Sequence, residues 1–407
     1  MPKERQARAA VGSSLSPVAA VRCSTYDFAA VEAALRALLE PLGGMSAFVK
    51  PGERIALKPN LLFGVPPERA VTTHPVVTAV VAVAVREAGA YPVVIESPGS
   101  GVVPARPVIE RVYKRAGYVE MAERYGFEIC LDTDWESVSN PQGYLVKRLE
   151  VVSPILRVDG VIDLAKLKTH NFMIFTGATK NLFGIIPGLN KVAYHGKLPD
   201  PARFADMLLD VAYFVRPRLC IVDGILAMEG QGPGTGGTPR HLGVLLAGTD
   251  PVLVDVACCR IAGIDTQAVP VLSRARDRGL WSGRARDIDT LGVPIAELAV
   301  RDFVLPVPYT RASGLGHLGV LDSVGRRLLR GLSRVPRPQV GRCTLCGACV
   351  QACPGKAISL NQQARVAKVD DSKCIRCYCC HEVCPQAAIE LIYTGSGRIL
   401  QQMGMLK

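Results

Sequence analysis

Between Val18 and about Asp289, short apolar runs alternate with stretches whose apolar residues recur every three or four positions. The runs Val18–Cys23, Arg54–Lys58, Val93–Glu96, Val161–Leu164, Leu219–Val222 and Leu242–Ala247, with Ile129 and Leu131, are short and rich in β-branched residues, which predicts strands. Between them, Asp27 can cap a helix whose Phe28, Val31, Leu35, Leu38 and Leu39 share one face, and Gly43-Gly44 closes it. Pro75 opens a second helix that ends at Gly89, and further helical patterns lie near Ala105–Ala116, Pro201–Phe214 and Pro251–Ala262, the last capped by Asp250. Strands separated by helices predict an α/β fold, a mostly parallel sheet with helices on both faces. In such sheets the chemistry gathers at the carboxyl ends of the strands.

Composition narrows the picture only slightly. A chain of 407 residues with 49% hydrophobic content suits two or three domains with a large core. The longest apolar run, Val76–Val85, is too short to span a bilayer and stops at Arg86. Met1–Arg22 holds charges, serines and Pro17, so it makes a poor signal peptide, and the expectation is a cytoplasmic protein without membrane insertion. The net charge of +12 fits a small anionic substrate or an acidic redox partner protein. Nucleic acid is not expected, since no recognised motif and few aromatics accompany the basic runs.

The strongest chemical signal lies near the end. CTLCGACVQACP and CIRCYCCHEVCP place Cys343, Cys346, Cys349 and Cys353 before Pro354, and Cys374, Cys377, Cys380 and Cys384 before Pro385, each related to its counterpart by an offset of 31. A cubane iron-sulfur cluster needs four converging thiolates, and this spacing wraps three of them with a short loop. In the bacterial ferredoxin arrangement the cysteine before proline serves the other cluster. One 4Fe-4S cluster then takes Cys343, Cys346, Cys349 and Cys384, and the second takes Cys374, Cys377, Cys380 and Cys353. Zinc prefers four ligands in separated pairs, and a disulfide framework needs an oxidising compartment. Cys379 falls outside the repeat and reads as a buried thiol, as do Cys23, Cys130, Cys220, Cys258 and Cys259.

These signals divide the chain into a flexible tail (1–17), an α/β domain (18–300), a linker (301–338), a small α+β ferredoxin-like double-cluster domain (339–394) and a tail (395–407). Within the linker, Leu321, Val324, Leu328 and Leu332 form a helical stripe beside Arg326, Arg327, Arg330, Arg334 and Arg337, which predicts a docking helix or a landing surface for an acidic carrier. Val335–Pro338 reads as a hinge.

The unusual polar residues of the α/β region follow its strands. Lys166, Lys168 and His170 would share one face if their segment stays extended, giving two cations and a titratable imidazole as candidate catalytic groups. Lys58, Asn60, Lys180, Asn181 and Glu229 are candidate substrate-binding residues, and His195 is a weaker second proton donor. A solvated strand end with a capping histidine is the plainer reading. Gly232, Gly234 and Gly237 form a GxGxxG that runs into a strand and not a helix, so it is no dinucleotide fingerprint; it reads as a substrate lid or a surface loop. Asp255 reads as a structural partner.

In combination, Lys58-Pro59-Asn60, Thr73-His74-Pro75, Glu96-Ser97-Pro98-Gly99, Leu164–Gly188, Val222–Arg240 and Gly248–Asp265 resemble the DUF362 family, over about residues 18 to 390. That resemblance implies an α/β fold in a redox setting, with the C-terminal double-cluster module that members often carry. It implies no particular substrate or reaction. The functional expectation is an oxidoreductase whose two clusters relay electrons to an anionic substrate, the alternatives being an electron-transfer or maturation partner without chemistry of its own, or a ligand-sensing regulator.

Overall fold

A computed structural model describes residues 16–99, 102–284, 288–306 and 333–403. Its body is organised by β1 (Val18–Arg22), β2 (Arg54–Pro59), β3 (Tyr91–Val94) and β4 (Glu128–Ile129), a separate hairpin of β5 (Trp135–Ser139) and β6 (Arg148–Val152), then β7 (Gly160–His170), β8 (Ile174–Thr176), β9 (Leu219–Gly230), β10 (Gly237–Gly248) and β11 (Thr290–Gly292). Nine of these form one sheet in the order β11-β1-β10-β9-β7-β2-β3-β4, with β8 on β7. Pairing is parallel from β9 through β7, β2 and β3 to β4, and between β1 and β11. The exceptions are β8, antiparallel to β7, and β10, antiparallel to β9 and β1; only residues 231–236 separate β10 from β9. A turn that short makes a hairpin, whereas a parallel crossover needs a dozen residues or more.

Alternation along the strands feeds two cores. Ala19 and Val21 of β1, Ile55 and Leu57 of β2 and Ile221 of β9 face helices 28–39, 75–87, 106–115 and 118–125. Val18, Ala20, Ala56 and Val222 face helices 201–215, 251–261 and 270–277. Sequence-legible caps set the helix starts: Asp27 accepts from the Ala30 amide at 3.0 Å and Asp250 from the Val252 amide at 2.8 Å. None of the described helices is long and apolar enough to cross a membrane.

Beyond residue 333, β12 (Val335–Pro338) pairs with β15 (Ile389–Ile392), and β13 (Ile358–Asn361) pairs with β14 (Val366–Val369). The offset of 31 extends from sequence to conformation. Leu345 and Arg376 both adopt left-handed φ (57° and 61°), and Ala357 and Ala388 each donate an amide to the sulfur of the preceding pre-proline cysteine at 3.2 Å.

Two boundary expectations change. Val335–Pro338 is a paired strand and not a hinge, with Arg337 bound to Asp371 at 2.9 Å. Residues 395–407 are not simply a tail, since Ser396–Gln402 is helical. The predicted basic helix through Leu321–Leu332 and most of the N-terminal tail lie outside the described residues. Arg334, expected on that surface, is buried and donates to Gln231 of the body at 3.0 Å.

Candidate functional site

Strand β7 runs six residues further than the apolar run Val161–Leu164 suggests, so Lys166, Lys168 and His170 are interior rather than a solvated strand end, at 1%, 2% and 0% exposure. Their neighbours separate them. Lys166 Nζ lies 2.8 Å from Asp223 and 3.1 Å from the Tyr26 hydroxyl, and Tyr26 stacks on His74 with centroids 3.6 Å apart. That group is fully paired and stitches the loop after β1 to β9. Lys168 donates to Asn60 Oδ1 at 2.8 Å and to the Val71 carbonyl at 2.7 Å, and burial holds its ammonium well below the usual lysine range.

Asn60, after β2, donates to Asn181 Oδ1 at 3.1 Å, and Asn181 donates to Asp163 at 2.7 Å and to the Lys58 carbonyl at 3.1 Å. Lys58 and Glu96, at the ends of adjacent parallel strands, form an ion pair at 2.5 Å with side chains 1% and 3% exposed. Gly184 packs on that pair with no space for a Cβ. Lys191, on helix Gly188–Lys197, donates to the carbonyls of Ser97 and Pro98, and burial pushes its pKa down to about 7.

These groups enclose a cavity of about 60 Å³ whose wall includes Asn60, Glu96, Lys180, Asn181, Lys191 and His195. Glu382, contributed by the C-terminal module, completes a wall otherwise made by the body. His170 meets the cavity only through it: His170 Nδ1 accepts amides from Phe172 and Met173 at 3.1 and 3.3 Å, which leaves the proton of the neutral ring on Nε2, 3.4 Å from Glu382 Oε1. Glu229 is not at the cavity; its carboxylate accepts the Val304 amide at 3.0 Å and ties residues 301–306 to β9. His195 is in a helix and not a loop, buried, stacked on Phe204 at 4.4 Å, with Nδ1 unpartnered.

The glycine-rich turn 231–236 is neither lid nor free surface loop. It is the seat of the C-terminal module. Thr235 Oγ1 donates to the Cys384 carbonyl at 2.6 Å, His381 Nε2 lies 3.1 Å from the Gln231 carbonyl, and Gly234 abuts the Glu382 carbonyl where no Cβ fits. Gly234→Ala should therefore loosen the seat by roughly 1–3 kcal/mol, the usual cost of overpacking. The expected readout is faster amide exchange across 231–236 and 379–384, while exchange in β2 and β3 stays unchanged.

Cys343, Cys346, Cys349 and the distal Cys384 line a single hollow, as the crossed ligand assignment requires. Cys353 crosses the other way, lying close enough to both Cys374 and Cys380 to help hold their thiols up. Amide-to-sulfur bonds onto Cys353 and Cys384 suit thiolates, so the donor set fits iron-sulfur cubanes. Among the described residues no three His, Cys, Asp or Glu side chains converge as around a single metal ion. Cys346 is exposed, whereas Cys374, Cys377 and Cys380 are buried on the side of the body.

Residues 55–260 match the family described as a domain of unknown function, DUF362, and residues 342–388 match the 4Fe-4S dicluster domain. The chain belongs to the DUF362 family. A thylakoid-associated protein of Synechocystis sp., sll1697, is 37% identical over 292 residues, covering 71% of this chain and 87% of that one. The lactate racemase apoprotein of Thermoanaerobacterium thermosaccharolyticum superposes with a TM-score of 0.36 at 11% identity, over 61% of this chain and 57% of the other's length.

Several polar groups of this DUF362 protein's cavity escaped the reading of the sequence. Glu96 stood in a quoted motif without a role, Lys191 sat in a stretch not assigned to a helix, and Asp163 lay inside an apolar run. Glu382 was hidden between Cys380 and Cys384, where the cysteine spacing commands attention. A carboxylate between two cluster ligands was the available signal.

Proposed function

We propose that this protein is an iron-sulfur oxidoreductase whose C-terminal module holds two 4Fe-4S clusters and whose α/β cavity holds a small anionic substrate. The observation that carries the reading is Glu382: the helix bearing it also bears Cys380, and its carboxyl closes a cavity otherwise built from the body's strand ends and helix Gly188–Lys197. A module tethered only for passive delivery has no reason to supply part of the wall. When bound, the clusters supply single electrons at low potential. The chain's own residues do the rest. Lys180 and Lys191 attract the anion, Asn60 and Asn181 orient it, the Lys58–Glu96 pair fixes the floor, and His170 faces the Glu382 carboxyl with Nε2 3.4 Å away.

The other end of the module faces outward. Cys346 is exposed, and so is Val340 of the same module at 62%, features a one-electron partner protein could dock on. This reading places the protein in a reducing compartment such as the cytoplasm, where thiolates remain available to iron.

The test uses anaerobically prepared holo-protein. It should contain close to eight irons per chain, and a small anion released on denaturation should be identifiable by mass spectrometry. Adding that anion to the reduced protein should reoxidise the clusters. An anion that binds yet leaves them reduced makes the protein a binder or an electron-transfer partner without chemistry of its own.

A further inference from the structure

The cavity contains polar atoms that nothing among the described residues satisfies. His195 Nδ1 is buried without a hydrogen-bond partner, and so is Glu382 Oε1, whose nearest contact is His170 Nε2 at 3.4 Å. Lys180 lines the same space, and among the described residues its ammonium has no hydrogen bond and no ion pair; Glu382 and Cys379 are the nearest charges that favour its charged form. Burying an imidazole nitrogen and a carboxyl oxygen without partners is costly, so a structure that keeps both beside the half-buried Lys180 is built for an occupant that satisfies them.

Charge and size define that occupant. Lys58, Lys168, Lys180 and Lys191 are opposed by the carboxyl groups of Asp163, Glu96 and Glu382, and the Lys58–Glu96 and Asn181–Asp163 contacts are already made. Lys58 is paired with Glu96, Lys168 donates to Asn60 and the Val71 carbonyl, and Lys191 donates to the carbonyls of Ser97 and Pro98, so Lys180 is the cation left to meet an anion. Since about 10–15 Å³ of such space accommodates one water, a volume near 60 Å³ admits a molecule of on the order of four to six non-hydrogen atoms.

Resting on the functional reading above, we infer that the substrate is a small monocarboxylate of about that size, its anionic end on Lys180 and a further oxygen within reach of His195. The aromatic box of Phe172, Phe183 and Phe204 around His195 fixes the imidazole plane and excludes water from it. Asn60 and Asn181, locked to each other at 3.1 Å, present an amide edge and not a charge, which favours a single anionic group over a dianion.

The experiment is calorimetric binding to the anaerobic holo-protein, with acetate, its neutral isostere acetamide, glycolate and the longer dianion succinate as probes. Acetate and glycolate should bind, and acetamide and succinate at least about tenfold more weakly, the discrimination expected for one desolvated charged hydrogen bond. Lys180→Met should abolish acetate binding and Lys180→Arg should retain part of it, with iron content and cluster spectrum unchanged in both. Equal binding of acetate and acetamide, or succinate binding as well as acetate, overturns the assignment. So does a Lys180→Met variant that keeps acetate affinity while shifting the potential of the buried cluster, since Lys180 would then serve the cluster's charge. Acetate binding that never reoxidises reduced clusters with any bound monocarboxylate would instead overturn the oxidoreductase reading and leave the ligand class standing.

Discussion

Removing iron from the holo-protein is expected to unfold the C-terminal module and, with it, to open the α/β cavity, while the nine-stranded sheet remains folded. The module cannot hold itself together on apolar burial. Its larger core consists of Cys349, Ile358, Ala367, Cys380, Cys384, Ala388 and Ile389, so three of its seven members are cluster ligands. A segment this small needs metal or another staple, and the free energy of metal binding is then its folding free energy. The body is different, with two extensive cores on the two faces of its sheet. Loss of the module removes Glu382 from the cavity wall and strips the 231–236 turn of its contacts with Cys384 and His381. Anaerobic chelation followed by hydrogen exchange should show residues 339–392 losing protection fully, 231–236 and Thr169–Asn171 losing it partly, and β2, β7 up to Lys168 and β9 up to Met228 keeping it. Full protection of 379–384 in iron-free protein would show that the module folds without clusters and would break the link between iron loading and cavity closure.

How much of this was legible in the chain differs by the kind of signal. Strands β1, β2, β3 and β9 announce themselves because their residues are apolar on both faces, as a doubly covered sheet demands. The far half of β7 does not. Lys166, Lys168 and His170 read as polar surface, and only tertiary partners from β2, β9 and the C-terminal module make their burial tolerable. The hairpin β5–β6 was missed because Trp135, Glu136 and Ser137 are all exposed, so β5 lacks the alternation that marks a half-buried strand. The 4Fe-4S dicluster domain was legible, since its cysteine spacing is local. The cavity was legible only as a neighbourhood: Lys58, Asn60, Lys180 and Asn181 do converge, yet Glu229 and Lys166, equally polar and equally placed after strands, are taken up by Val304 and Asp223. Which of two similar residues faces a cavity depends on contacts far apart in sequence. The glycine-rich turn shows the same limit. Its glycines record close approach of another backbone, and nothing local says that the backbone belongs to residue 382.

The second large effect concerns the floor of the cavity. Lys58→Met is expected to destabilise the body by roughly 3–5 kcal/mol, because it leaves the Glu96 carboxylate buried without its counter-ion. Glu96→Leu should cost a similar amount for the converse reason. The double variant should lose far less than the two together, since an apolar pair of similar volume needs no compensation. Two structural features sharpen the expectation. Gly184 lies against both charged atoms on one side, and Lys191, 4.0 Å from Glu96, is already engaged with two backbone carbonyls. The pH dependence follows in sign. Burial raises the Glu96 pKa even against the attraction of Lys58, and with Lys58 gone it rises further. A carboxyl whose folded pKa lies above its unfolded value penalises folding most at high pH, and the penalty fades as the pH falls through the folded pKa. The single variant Lys58→Met should therefore regain stability relative to the parent on acidification, and Glu96→Leu should not. Urea unfolding followed through Trp281 reports on the body, since this indole is 7% exposed and donates to the Leu272 carbonyl at 2.8 Å, whereas Trp135 is half-exposed. Additive losses in the double variant would mean that each charge is solvated on its own, and the cavity floor would then be wet.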